Sequence, residues 1–333
     1  MNLVTGATGH IGNVLVRLLL ERGEKVRAMV MPGEDPTPLR DLEVEIVEAD
    51  VLDYQSLLKA FTHTEVVYHL AGIISILPGK EQMVQLVNVV GTRNVIQAAQ
   101  TSGVKRLVYT SSIHALQRVP HGILIDESVP FDIEHAISSY DSSKANASLE
   151  VLEAVHQGMD AVIVCPTGVI GPYDFRRSEM GQLILDCVEQ KPMLYVDGAY
   201  DFVDVRDVAQ GLILAGEKGR SGESYILSGE RIAVLDIIKI VQEVLGKRLF
   251  SLKIPMDLAR LTARIMPLYY RLANVKPRFT SYSLATITSN SFISHAKAHL
   301  ELGYRPRPLR ESLRDTVNWF LKNKQLSKIP VNK

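Results

Sequence analysis

The chain has 333 residues, 46% hydrophobic and 22% charged, enough for a sizeable core in one large or two intimate domains. Its 37 Lys and Arg balance 37 Asp and Glu, so no basic excess points to nucleic acid as a partner. Its 2 cysteines, Cys165 and Cys187, form neither a disulfide framework nor a metal-ligand spacing and read as buried thiols; no apolar run approaches the ~18 residues of a membrane-spanning helix.

The first stretch, Asn2-Leu3-Val4-Thr5, reads as a strand that runs into Gly6, Gly9 and Gly12 and then into a helix from Asn13 to Leu20. Glycines at this spacing permit a tight turn, a close approach of phosphate to the backbone, and close packing of helix on strand. The helix N-terminus adds N–H groups and a partial positive charge, so the turn is a candidate pyrophosphate site. Because the motif begins at residue 6, no room is left for a signal peptide, and a cytoplasmic protein is expected.

Strands and helices then alternate. Lys25–Val30, Val44–Ala49, Glu65–Leu70 and Arg106–Thr110 read as strands, with a helix over Tyr54–Phe61 and a long one from about Lys80 to Thr101. This alternation predicts a parallel, doubly wound sheet whose ligands lie beyond the carboxyl ends of the strands. Residues at those ends are therefore candidates: Asp50, Ala71-Gly72 and Ser111-Ser112. A helix opening at Tyr140-Asp141-Ser142-Ser143-Lys144 follows. Tyr140 and Lys144 share one helix face, and an ammonium beside a phenol favours the phenolate. With the Ser112 hydroxyl, this set suits proton transfer to or from an alcohol or carbonyl.

Gly6-x-x-Gly9-x-x-Gly12, Asp50-Val51, His69-Leu70-Ala71-Gly72, Asn88, Thr110-Ser111-Ser112 and Tyr140-x-x-x-Lys144 together resemble the extended short-chain dehydrogenase/reductase family. This branch includes nucleotide-sugar epimerases and dehydratases, dihydroflavonol reductases and 3β-hydroxysteroid dehydrogenases. Pro166-Thr167-Gly168-Val169, Phe202-Val203-Asp204-Val205-Arg206-Asp207 and Leu302-Gly303-Tyr304 extend the likeness over almost the whole chain. The resemblance implies an NAD(P)(H) cofactor. Tyr140 would be the general acid/base, and Lys144 would hold the nicotinamide ribose. Ser112 would orient the substrate oxygen, and Asn88 would support the Lys144 side. Gly6, Thr8, Gly9, His10, Ile11 and Gly12 would carry the pyrophosphate. Asp50 and Val51 would border the adenine, Leu70, Ala71 and Gly72 would line the ribose and pyrophosphate, and Pro166, Thr167 and Val169 would meet the nicotinamide end.

The fold expected is α/β, a Rossmann-type doubly wound sheet with a smaller, mostly helical C-terminal lobe. The nucleotide domain takes residues 1–170, with strands returning from about 201–228; residues 171–200 and 229–333 form the substrate lobe. An apolar stripe over Met256–Leu272 reads as a lobe helix over the pocket or a contact with a second copy, the alternative being a helix that lies on a membrane surface. Tyr173, Phe175, Arg176 and Arg177 are expected to face the substrate, and His114 and His121, in the loop between Ser112 and Tyr140, read as solvated loop residues, the alternative being that one shapes the pocket or acts as a second acid/base.

Cofactor choice stays open, because Val30 and Met31 replace both the acidic and the basic residue that usually end the second strand. Arg27, four residues back along the strand and so about 13 Å away at ~3.3 Å per residue, is too far to substitute, which leaves Arg40 or His10. The expected activity is hydride transfer between nicotinamide and a carbonyl or secondary alcohol of a small-molecule substrate. The alternative is a nucleotide-sugar epimerase or dehydratase with tightly held NAD. A second copy of the chain, as a homodimer, is a candidate protein partner, and no metal is expected.

Overall fold

The computed structural model describes residues 1–74, 79–263 and 280–323. Seven parallel strands make the main sheet. They are β1 (Asn2–Thr5), β2 (Val26–Val30), β3 (Glu45–Glu48), β4 (Val66–His69), β5 (Arg106–Thr110), β6 (Ala161–Pro166) and β10 (Ser224–Leu227), in the order β10-β6-β5-β4-β1-β2-β3. Strand order reverses between β1 and β4, and the crevice at such a reversal is where ligands bind in open α/β sheets.

The apolar runs of the central strands are buried on both faces, as a doubly covered sheet requires. Alternate residues of β1 show the division. Leu3 belongs to the same core as Leu57 of α2 (Tyr54–Ala60), Val95 of α4 (Gly91–Thr101) and Val151 of α5 (Ser139–His156). Val4 packs on the other face with Leu15 of α1 (His10–Glu21) and Leu212 of α7 (Val205–Lys218).

Three elements differ from expectation. The helix expected from Lys80 to Thr101 is not continuous. A short α3 (Glu81–Gln85) widens into a π-helical turn, Leu86–Val90, before α4 begins. Such turns concentrate at functional positions, and this one carries Asn88. Of the strands expected to return near 201–228, β10 joins the main sheet beside β6. By contrast β9 (Ala199–Asp204) pairs with β7 (Gly168–Ile170) and β11 (Glu230–Ala233) in a separate three-stranded sheet. The physical reason is that β10 occupies the free edge of β6, so β9 has no place in the main ladder. Finally, the stripe over Met256–Leu272 lies in part outside the described residues. Up to residue 263 its buried face is Ala259 and Ala263, packed with Val196 and Leu284, while Leu258 and Leu261 are exposed.

The second half adds β8 (Met193–Tyr195) and β12 (Ser251–Lys253) as a two-stranded parallel ribbon. Its helices include α6 (Glu179–Val188), α8 (Val234–Leu245, closed by left-handed Gly246) and the C-terminal helix Leu309–Lys322. Both cysteines are buried and unpaired.

Candidate active site

The turn after β1 is built for closeness. Gly6 has φ +65°, and a Cβ there would lie 2.8 Å from Ala71 N; at Gly12 a Cβ would lie 2.2 Å from Gly6 O. Gly9, the N-cap of α1, makes no side-chain cap. The α1 N-terminus therefore offers its N–H groups to whatever lies over the turn. Thr8 is buried, and His10 Nε2 lies 3.0 Å from Pro172 O. Leu70 and Ala71 close the other side of the crevice, both donating their N–H groups to Thr5 Oγ1, at 3.1 and 3.0 Å.

At the far end of the crevice Ser112, Tyr140, Lys144 and Asn88 are all buried. Ser138 caps α5, accepting from Asp141 N at 3.1 Å, and so fixes the turn that carries Tyr140. Lys144 Nζ donates to Thr110 O at 2.7 Å and to the Tyr109 hydroxyl at 3.4 Å. Asn88 holds the strand after β4 in both directions: Oδ1 accepts from Ile73 N at 2.8 Å and Nδ2 donates to Ile73 O at 3.0 Å. Nδ2 also donates to Ser143 Oγ at 2.9 Å, beside Lys144 on α5. Asn88 thus supports the Lys144 side through a serine and the Gly72-Ile73 backbone.

Burial dominates and pushes Tyr140 up to about 12, with the Ser112 hydrogen bond opposing and the Asp141 charge adding to the rise. Lys144 is itself lowered to about 8 by burial. At neutral pH Tyr140 is therefore a proton donor with an ammonium on the same helix face.

The other expected cofactor residues line the crevice less uniformly. Asp50 Oδ1 turns inward to accept from Leu52 N at 2.9 Å, and Val51 is buried against the Cα of Gly91. Pro166 ends β6, and Val169 of β7 is half-buried. Thr167 spends its hydroxyl on Asp201 Oδ1 at 2.6 Å. Asp201, buried, is raised to about 6.

The loop after β7 packs beside the glycine turn. Tyr173 stacks under Arg17, Phe175 packs edge-on to Trp319 at 5.1 Å, and Arg176 Nη2 donates to Thr8 Oγ1 at 2.8 Å. His114 is not a solvated loop residue. It stacks on Tyr200 with ring centroids 5.7 Å apart and meets Tyr282 at 5.6 Å. Burial lowers its pKa to about 4. His121 is exposed, with Nε2 3.1 Å from Thr288 O.

Thr5, Thr92, Ser143, Tyr109 and Asp141 were missed from sequence. Only the strand register, which lines up Thr5, His69 and Tyr109, could have pointed to the first and fourth. Among the described residues no helix is long and apolar enough to cross a membrane, and no group of His, Cys, Asp and Glu could hold a metal.

Comparison with known proteins agrees with this geometry. A family described as the NAD dependent epimerase/dehydratase family matches residues 2–228. Sterol demethylase protein B of Methylococcus capsulatus is 38% identical, the match covering 96% of this chain and 97% of that protein. The 3beta-hydroxysteroid-dehydrogenase/decarboxylase isoform 1 of Arabidopsis thaliana is 30% identical, over 96% of this chain and 79% of that one. The crystal structure of gox2253 superposes with a TM-score of 0.83 at 34% identity, covering 97% of this chain and 98% of that chain. The chain belongs to the NAD-dependent epimerase/dehydratase family and is an NAD(P)-dependent oxidoreductase of the extended short-chain dehydrogenase/reductase type.

Proposed function

We propose that this enzyme interconverts a secondary alcohol and a ketone on a partly apolar, fused-ring or aryl skeleton, with Tyr140 as acid/base. The observation that carries the reading is the buried Ser112–Tyr140–Lys144 set at the carboxyl edge of the sheet, one crevice away from the glycine turn. The turn fits a dinucleotide: the α1 N-terminus is uncapped by side chains, and Gly9 at its start carries no side chain, its added Cβ meeting only Gly6 O at 3.1 Å. Gly6 through Gly12 would hold the pyrophosphate, and Lys144 and Asn88 would order the nicotinamide half. When bound, the dinucleotide supplies or accepts a hydride at nicotinamide C4.

In the reducing direction the Tyr140 hydroxyl, held by Ser112, gives its proton to the substrate oxygen as the carbonyl carbon gains hydride. In the oxidising direction the phenolate takes that proton back, and the charge of Lys144 favours the phenolate. The apolar substrate class is supported by the sterol- and steroid-named relatives, which match almost the full chain. The test is turnover of a panel of 3-hydroxysteroids, aryl ketones and nucleotide sugars, with thermal shift alongside. Turnover of alcohols or ketones with exchangeable cofactor supports the proposal. Stabilisation and epimerisation of nucleotide sugars alone, with NAD retained through purification, would replace it with the epimerase reading.

A further inference from the structure

The end of β2 carries neither of the usual residues that read the adenosine ribose, and the nearby cations are engaged elsewhere. Arg27 donates to Glu45 and to the carbonyls of Ala60 and Thr62, all at 2.7 Å. Arg40 donates to Thr37 Oγ1 within its own loop, and His10 meets Pro172 O. Yet a carboxylate does stand at this place. The turn after β2 folds Glu34 back, so that its Oε2 accepts from Met31 N at 3.2 Å and its own N–H donates to Met31 O at 2.9 Å. Glu34 lies about 20 residues past the glycine turn, the separation at which an acid meets a ribose 2′-hydroxyl in nucleotide-binding βαβ units.

Glu34 is ion-paired with Arg176, whose guanidinium also donates to Thr8 in the glycine turn. Arg176 arrives from the loop after β7, and that loop is held firmly. Tyr173 and Arg177 take left-handed φ of 67° and 51°, conformations that persist only where the surroundings impose them. Buried Asp174 accepts from Ser178 N and Oγ at 2.8 and 2.7 Å, and Asn13 Nδ2 on α1 donates to Tyr173 O at 3.2 Å. The guanidinium is thus delivered across the crevice by a tethered loop.

We propose that the Arg176–Glu34 pair is a latch across the dinucleotide groove that a cofactor opens, Glu34 taking the adenosine ribose 2′-hydroxyl and Arg176 the pyrophosphate, so that NAD is preferred over NADP. This rests on the dinucleotide site proposed above. With NAD both halves of the latch exchange one partner for another: the carboxylate gains a hydroxyl donor and the guanidinium gains phosphate oxygens. A 2′-phosphate would instead set a dianion against Glu34. Binding NADP would then require a like-charge contact or the displacement of Glu34 from Met31. The latch also ties cofactor binding to the loop that leads into α6.

Titrations of NADH and NADPH by fluorescence on the full chain, wild type against Glu34→Gln and Arg176→Gln, test the assignment without any substrate. Wild type should bind NADH about 10-fold or more tightly than NADPH. Glu34→Gln should bring the two within about threefold, chiefly by tightening NADPH, and Arg176→Gln should weaken both about equally, by roughly 10-fold. Three results would overturn the latch: a wild type that prefers NADPH, a ratio unmoved by Glu34→Gln, or an Arg176→Gln variant that loses NADPH alone. A folded wild type that binds neither dinucleotide would instead remove the site reading beneath it, and the latch with it.

Discussion

Thr5 Oγ1 and His69 Nδ1 stand 2.8 Å apart across the point where the strand order reverses. The bond has a direction. Thr5 already accepts from two backbone N–H groups, so its own proton goes to His69 Nδ1, which fixes the imidazole as the Nε2–H tautomer. Nε2–H then donates to Thr92 Oγ1 at 3.0 Å, and Thr92 donates to Asn88 O at 2.6 Å. Asn88 continues through Ser143 Oγ, which donates to Tyr140 O at 2.8 Å. A single buried chain of oriented hydrogen bonds therefore links the glycine turn to the helix that carries Tyr140 and Lys144. Buried polar groups so connected rigidify a site only while every member is satisfied.

Thr5→Val should show this. The change keeps the shape and leaves His69 Nδ1 and the N–H groups of Leu70 and Ala71 without their partner. Each buried orphan costs about 1–3 kcal/mol, so urea unfolding should report a loss of roughly 3 kcal/mol or more. A loss below about 1 kcal/mol would mean that the chain carries no structural weight.

His69 also sets an acid limit. Burial, then the charge of Lys144, lowers its pKa from 6.5 to about 3. The unfolded chain therefore takes up a proton near pH 6.5 that the folded chain refuses until about pH 3. Between those values the unfolded state binds more protons, so stability falls as pH falls through the window, by up to about 1.4 kcal/mol per unit for this group. Unfolding free energies at pH 7, 6 and 5 check it; stability that is level or rises on acidification would contradict the buried neutral imidazole.

The glycines of the turn separate packing from binding. At Gly12 an added Cβ meets backbone 2.2 Å away, so Gly12→Ala should fail to fold or melt far below wild type. At Gly9 the nearest atom is Gly6 O at 3.1 Å, a tight contact that a small shift relieves. Gly9→Ala should therefore fold, with a small drop in melting temperature, and bind dinucleotide at least about 10-fold more weakly, because the methyl takes the place of a phosphate. Calorimetric titration and a melting curve on both variants distinguish the two roles.

Much of this was legible in the sequence, for a physical reason. Strands β1, β4, β5 and β6 announce themselves as largely apolar runs closed by turn residues, and in a parallel sheet the residues just past those runs form one edge. Ser112, Tyr140 and Lys144 could be brought together on that logic alone. What was not legible depends on register and on loops. Thr5 and His69 are ordinary strand residues until the pairing of β1 with β4 sets them side by side. The π turn at Asn88 has no signature in a pattern that is helical throughout. The β9 strand, with Tyr200, Phe202 and Val203 in a strand-like stretch, reads like a strand of the main sheet, and only the presence of β10 beside β6 sends it elsewhere. Arg176 and Glu34 are 142 positions apart, and nothing local in either stretch indicates the other.

The last prediction concerns the proton. Asp141 lies buried beside Tyr140, held by the hydroxyls of Tyr282 at 2.6 Å and Ser138 at 2.9 Å and paired with Arg118 at 3.7 Å. Burial, with the Asp141 charge adding to it, keeps Tyr140 protonated up to about 12. Lys144, lowered to about 8, keeps its ammonium only below that value. Ketone reduction needs the protonated phenol and the charged Lys144, so its rate should be level from pH 6 to about 8 and fall above, as Lys144 loses its proton. Tyr140→Phe removes only the hydroxyl and should lower kcat about 10²–10⁴-fold with dinucleotide still bound. Ser112→Ala should be milder, since a water can replace one hydrogen bond. Lys144→Met should lose activity, the alkaline limb and cofactor affinity together. Asp141→Asn removes a like charge from the phenolate and should shift the rise in alcohol oxidation with pH to lower pH, by about one unit. The measurement is the pH profile of kcat in both directions for the four variants. If Tyr140→Phe retains near wild-type kcat, the proton comes from elsewhere, and His114, stacked on Tyr200, is the next group to replace.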